Sequence, residues 1–135
     1  MRTVADTNIL FSFFWKDSFT KQIIMSPNME IFSPDFAIEE LKKHSPLIMN
    51  KTRITKGEFS AALSSLKSFV KFFPLKYYGV FMKEAGNISP DKDDSNFLAL
   101  CLKLNLPLWS NDAELKKQDK VAIIDTKDII DIYFD

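Results

Sequence analysis

Histidine and cysteine occur once each in these 135 residues, as His44 and Cys101. One cysteine excludes an internal disulfide and a thiolate zinc cage, and one histidine excludes a two-histidine acid–base pair and a multi-histidine metal site. With only 3 glycines, there is no room for a glycine-rich phosphate loop, a flexible linker or a collagen repeat. Long apolar runs are missing too. Ile9–Trp15 is broken by Ser12 and followed by Lys16 and Asp17, far short of the about 20 residues of a membrane span and unlike a signal peptide. No membrane association and a cytoplasmic location are therefore expected, in keeping with one reduced cysteine. The chemistry must come from carboxylates, hydroxyls, amides and lysines.

Net charge is also lacking, since 18 basic residues balance 18 acidic ones. The balance hides an asymmetry. Lys42 to Lys83 carries nine bases against one acid, Glu58, whereas residues 1–41 sum to −3 and residues 84–135 to −5. A basic middle between acidic flanks suits a polyanion held near an acidic centre, with Lys43, Lys51 and Arg53 as backbone-binding candidates. The alternative is a pair of solvated helices with lysines on their outer faces.

What is present is enough apolar residue, 46%, for one domain spanning residues 1–135. Thr3–Ala5, Ile31–Phe32, Leu106–Trp109 and Val121–Ile124 read as short strands, and Leu75–Tyr78 as a further one. Helices are expected from about Asn8, over Phe19–Met25, and from a Ser33 cap with Pro34 at the first helical position to a stop at Pro46. Thr55-Lys56-Gly57-Glu58 is a capping box. The helical spacing of Phe59, Ala62, Leu63, Leu66, Phe69, Val70 and Phe73 carries that helix to Pro74. A short helix near Val80–Ala85, a loop over Gly86–Asp93, a buried helix at Phe97–Leu104, a helical turn at Ala113–Lys117 and a closing segment at Asp128–Tyr133 complete the chain. Short apolar strands alternating with helices predict a three-layer α/β/α sandwich around a mainly parallel sheet.

In such a sheet, ligands bind beyond the carboxyl ends of the strands. Asp6 directly follows the first strand and Asp112 lies three residues past Trp109, so both acids reach one edge if their strands are parallel neighbours. Asp94 shares a helical face with Phe97 and Leu98 and should point inward; its neighbour Asp93 should not. At about 100° per residue, Glu39 lies opposite the stripe of Ala37, Ile38 and Leu41, while Glu40 sits at its border. Each acid alone reads as a cap or a surface charge. Four on one edge repel one another, and a hard divalent cation, Mg²⁺ or Mn²⁺, is the usual remedy. Such an ion activates water and stabilises charge on a phosphoryl group.

The same residues carry a family resemblance. Val4-Ala5-Asp6-Thr7-Asn8-Ile9-Leu10 resembles the opening of a PIN domain, the nuclease fold of VapC-type toxins and several RNA-processing enzymes. Pro34–Leu41, Ser89–Leu100 and Leu108–Asp112 resemble its second, third and fourth motifs, in family order over nearly the whole chain. By that resemblance the metal quartet falls on Asp6, Glu40, Asp94 and Asp112. Ser110 matches the family's hydroxyl near the metal, and Asn8 and Glu114 are outer contributors. The resemblance implies a metal-dependent endoribonuclease acting on RNA, commonly a homodimer and often neutralised by a small antitoxin protein. The alternative is a catalytically silent interaction module on the same fold.

Other candidates fall away on their surroundings. Cys101 lies in an apolar helix and reads as core. His44 reads as a helix-end residue, with RNA contact as the alternative. The 13 phenylalanines follow core spacing, while Phe13, Phe14 and Trp15 are candidates for a dimer interface, as is the all-round apolar Phe97–Leu104 helix. A phosphoacceptor receiver would want an acidic pair at the first strand end, which Arg2–Ala5 does not supply. A haloacid-dehalogenase-type phosphatase would want an acid where Asn8 stands.

Overall fold

The computed structural model describes residues 1–134. The strand β1 is Arg2–Ala5, whose Val4 and Ala5 are fully buried. It is flanked on both sides, so an apolar run without polar alternation is what its position requires. The further strands are β2 (Glu30–Pro34), β3 (Val70–Phe73), β4 (Leu108–Trp109) and β5 (Ile123–Ile124). They form one sheet in the order β3-β2-β1-β4-β5, with every pairing parallel. Val4 is the register point, opposite Phe32 on one side and Leu108 on the other.

Helices α1 (Thr7–Phe11) and α2 (Phe19–Met25) connect β1 to β2; α3 (Asp35–Lys43), α4 (Ser45–Thr52) and α5 (Lys56–Phe69) connect β2 to β3. Helices α6 (Leu75–Tyr78), α7 (Met82–Ile88) and α8 (Ser95–Leu104) lead back to β4, and α9 (Thr126–Tyr133) follows β5. The chain steps outward from β1 to β3 and then returns to the other side of β1. Right-handed crossovers running in opposite directions place their helices on opposite faces, giving the three-layer α/β/α sandwich. The helix α8 packs on β1, β2 and β4 together with α6 and α7, while the turn after α1 packs with α2 and α5. None of the helices is long and apolar enough to cross a membrane, among the described residues.

Four local expectations are corrected. Ser33 does not cap a helix: β2 runs on to Pro34, and the Ser33 hydroxyl donates to the Ala5 carbonyl at 2.9 Å, tying the ends of β1 and β2 together. Pro34 stands beyond the Val4–Phe32 pair, where its missing N–H costs β1 no ladder bond, and it becomes the residue before α3. Pro46 does not end that helix but starts α4, because α3 has already stopped at Lys43 and proline is tolerated in a first turn.

Val70–Phe73 leaves the α5 pattern to become β3, paired from Ile31–Val70 to Pro34–Phe73. A β-branched and aromatic tetrapeptide satisfies either period, and the unpaired side of β2 decides it. Leu75–Tyr78 is helix α6 rather than a strand. Its ring-rich sequence suits a sheet, but Tyr78 is instead buried against α8, with its hydroxyl donating to Asn96 at 2.7 Å.

The capping box is present as read: Thr55 and Glu58 exchange side-chain bonds with each other's amides. Ile9, Leu10, Phe13 and Phe14 are buried, as are Phe97–Cys101. The chain's own fold therefore covers most of the two segments that sequence offered to a dimer, leaving Trp15 41% exposed.

Candidate active site

Strand order reverses between β1 and β4, and the crevice beyond their carboxyl ends is where an open parallel sheet binds ligands. Asp6 leaves β1 into that crevice, 7% exposed, and its Oδ1 accepts from the Ile9 amide at 2.9 Å, capping α1. The capping role and the site role thus coexist in one carboxylate. Burial pushes the Asp6 carboxyl up from its usual range and Asp112 adds to this, while hydrogen bonds from Ser110, Ile9 and Asn8 pull partly the other way.

Ser110 leaves β4 on the same edge, buried, and its Oγ accepts from the Asp112 amide at 3.1 Å. Asp112 is exposed, and its Oδ1 accepts from the Glu114 amide at 3.0 Å. Glu114 itself points away, ion-paired with Lys117.

Asp94 arrives from the start of α8. Its neighbours divide as helical geometry predicts, with Asp93 exposed and Asp94 half-buried. Burial raises the Asp94 carboxyl to about 6, and the charges of Asp91, Asp112, Asp6 and Asp93 contribute in that order. Its carboxylate accepts no hydrogen bond from the protein, among the described residues. Glu40 is half-buried while Glu39 is exposed, and the Thr7 hydroxyl donates to Glu40 Oε1.

Asp6, Glu40 and Asp94 line one cleft of about 170 Å³ with Thr7, Asn8, His44, Asp93 and Phe97. Asp93 is thus solvent-facing but still part of the rim. Asp112 stands outside this lining, felt by Asp6 and Asp94 through its charge. Lys43 borders an adjoining hollow with Glu39, Glu40 and His44, and Lys51 borders another with Thr7 and Asn8. Arg53 is exposed at the end of α4 in a left-handed conformation, φ 57°.

Whether these residues suit a divalent cation is a question of donor chemistry. Hard oxygen donors converge from four elements, and no Lys, Arg or His forms an ion pair with any of the four acids, among the described residues. No three His, Cys, Asp or Glu side chains stand close enough together to hold a metal ion, among the described residues. The oxygen donors are of the kind a hard divalent ion takes, and neither oxygen of Asp94 nor the second oxygens of Glu40 and Asp112 accept a hydrogen bond, among the described residues.

Two residues escaped sequence reasoning. Thr7 orients Glu40 across 33 positions, a pairing no local spacing reveals. Asp91 accepts from the Asp93 amide and is the first-ranked charged neighbour of Asp94; an Asp directly before the helical turn Lys92–Asp94 is the signal that could have found it.

Known proteins share this architecture. A family model described as PIN domain matches residues 4–133. The structure of VapBC2 from Rickettsia felis bound to a DNA fragment from their promoter is similar at 16% identity and TM-score 0.65, over 93% of this chain and 98% of that one. PAE2754 from Pyrobaculum aerophilum is similar at 17% identity and TM-score 0.65, over 96% of this chain and 87% of that one. No curated protein matches significantly.

Proposed function

The chain belongs to the PIN domain family, and from that premise we propose that it is a single-domain endoribonuclease dependent on Mg²⁺ or Mn²⁺. PIN domains are generally nucleases and generally use divalent ions. The carrying observation is the set of four acids, from four separate elements, that no basic side chain pairs among the described residues.

Asp6, Glu40, Asp94 and Asp112 would hold the ion. When bound, it supplies activation of water and stabilisation of charge on the phosphoryl group. The chain's own work is positional. The Ile9 amide fixes Asp6, the Thr7 hydroxyl fixes Glu40, and the Glu114 amide with Ser110 fixes the Asp112 turn. Asn8 stands at the cleft wall as an outer contributor. Lys43, Lys51 and Arg53 hold the RNA backbone. Water would be the nucleophile, as expected of a metal-dependent hydrolase; Cys101 is buried in α8 and does not line the cleft.

Purified protein is incubated with single-stranded RNA in Mn²⁺ or in EDTA. Cleavage confined to Mn²⁺ is expected; equal cleavage in both would end the proposal. That no three His, Cys, Asp or Glu side chains stand placed to hold a metal ion, among the described residues, favours the second reading, a silent interaction module. Inactivity together with no Mn²⁺-induced rise in melting temperature would select it.

We extend the proposal to a cytoplasmic, homodimeric toxin neutralised by a small antitoxin, supported by the likeness to VapBC2. Expression should arrest growth, and Glu40→Gln should relieve the arrest. A concentration-independent monomer in light scattering would remove the dimer.

A further inference from the structure

Resting on the nuclease reading, we infer that the pocket beside the acidic cleft seats one nucleobase of single-stranded RNA, next to the phosphate held at the acids. The pocket is about 340 Å³, within the roughly 300–1,000 Å³ range of small-ligand sites. It shares Thr7, Asn8, Glu40 and His44 with the cleft, so the two hollows adjoin. Beyond these shared residues its wall is apolar, made by Phe11, Leu41, Leu47 and Ile48, with Lys51 at the rim.

A nucleobase needs apolar or aromatic surface for its face and a few polar groups for its edge. Phe11 and Leu47 offer the first, and the Asn8 amide with the His44 ring offers the second. Leu47 is 48% exposed, so the chain does not cover this wall itself. Lys51 follows Leu47 by four residues on α4 and therefore lies on the same helix face. That places a cation beside the pocket mouth, where the phosphate of the seated nucleotide would run.

The occupant must combine a flat apolar face with a regularly charged backbone. It must also continue without a break into a cleft suited to phosphate chemistry. Single-stranded RNA has all three properties. An apolar peptide has only the first, and it would leave Lys51 at the pocket mouth without an anionic partner.

The test is a four-way affinity comparison in EDTA by fluorescence anisotropy. A four-nucleotide oligoadenylate is compared with a four-unit abasic strand of the same charge, on wild type and on Leu47→Glu. Wild type should prefer the strand with bases about tenfold, and the preference should fall below about twofold in Leu47→Glu. Leu47→Ala repeats this arm without adding charge and should lie between. Lys51→Ala should weaken both strands alike and keep the preference, as expected of a phosphate contact. Equal affinity of wild type for the two strands, or an unchanged preference in Leu47→Glu, overturns the base site and leaves the pocket to a protein partner. Mn²⁺-dependent cleavage alongside either result leaves the nuclease reading standing. Failure to bind either strand, together with no cleavage, removes both.

Discussion

Replacing Asp94 by Asn should make the metal-free protein more stable at neutral pH while destroying its activity. Burial and four neighbouring acids raise the Asp94 carboxyl from 3.8 to about 6, so the native state binds this proton more tightly than the unfolded chain does. The stability the group contributes is fully present below about pH 4 and is lost as pH rises through about 6. A shift of about two units corresponds at most to roughly 3 kcal/mol. Because the side chain is half open to water, solvent screening reduces this to about 1–1.5 kcal/mol. Asn keeps the shape, and every hydrogen bond survives the change because the Asp94 side chain caps no amide. What disappears is a negative charge at a helix N-terminus, about 0.3–1 kcal/mol. The net gain above pH 7 is then at most about 1 kcal/mol, or up to about 4 °C for a chain of this length.

Melting temperatures of wild type and Asp94→Asn would be measured in EDTA between pH 4 and 8. The Asp94→Asn advantage should be near zero at the acid end, grow through pH 6 and level off above 7. In Mn²⁺ the order should reverse, because only wild type gains from binding the ion at a full set of ligands. A variant less stable than wild type at pH 7.5 in EDTA, or an advantage independent of pH, would refute the electrostatic account of this cleft.

The adjacent acids supply an internal control for activity: Glu40→Gln should lower RNA cleavage by orders of magnitude, whereas Glu39→Gln and Asp93→Asn should cleave close to wild type. Reversing charge at Lys51 and Arg53 should weaken RNA binding and flatten its salt dependence by about one unit of slope for each phosphate no longer neutralised; an unchanged slope would leave both as solvated surface. Trp109 is fully buried between β1 and β5, with its indole N–H donating to Thr126 Oγ1 at 3.0 Å. Trp109→Ala should cost about 3–5 kcal/mol in denaturant unfolding, and Thr126→Val about 1–3 kcal/mol through the unpaired indole. Cys101 should resist aromatic disulfide reagents in the native protein and react only as it unfolds, since it is buried and its thiol is pushed up.

Features with a local or periodic cause were legible in the amino-acid order alone. The Thr55–Glu58 box, the Phe19–Met25 helix and the Ala113–Lys117 turn are set by residues within a few positions of one another. So are the opposite exposures of Glu39 and Glu40, because one residue is about 100° of helix and a single apolar stripe fixes the phase; Asp93 and Asp94 also differ as expected, though they stand in a 3-10 turn just before α8. The alternation of short apolar strands with helices was enough for the sandwich and its parallel sheet.

Whatever depended on a partner distant in the chain was settled by the assembled fold. Val70–Phe73 fits either period and became a strand because β2 had a free side to pair. Ser33 turned from cap to clasp because the Ala5 carbonyl lay within reach across the sheet. The site divides the same way: local spacing nominated its acids, but the order β3-β2-β1-β4-β5 made β1 and β4 neighbours and so brought Asp6 beside Ser110 and Asp112. The hold of Thr7 on Glu40 and the elevated carboxyl of Asp94 arise only there. Hydrogen bonding and charge repulsion act across ångströms of space, and separation along the chain carries no record of either.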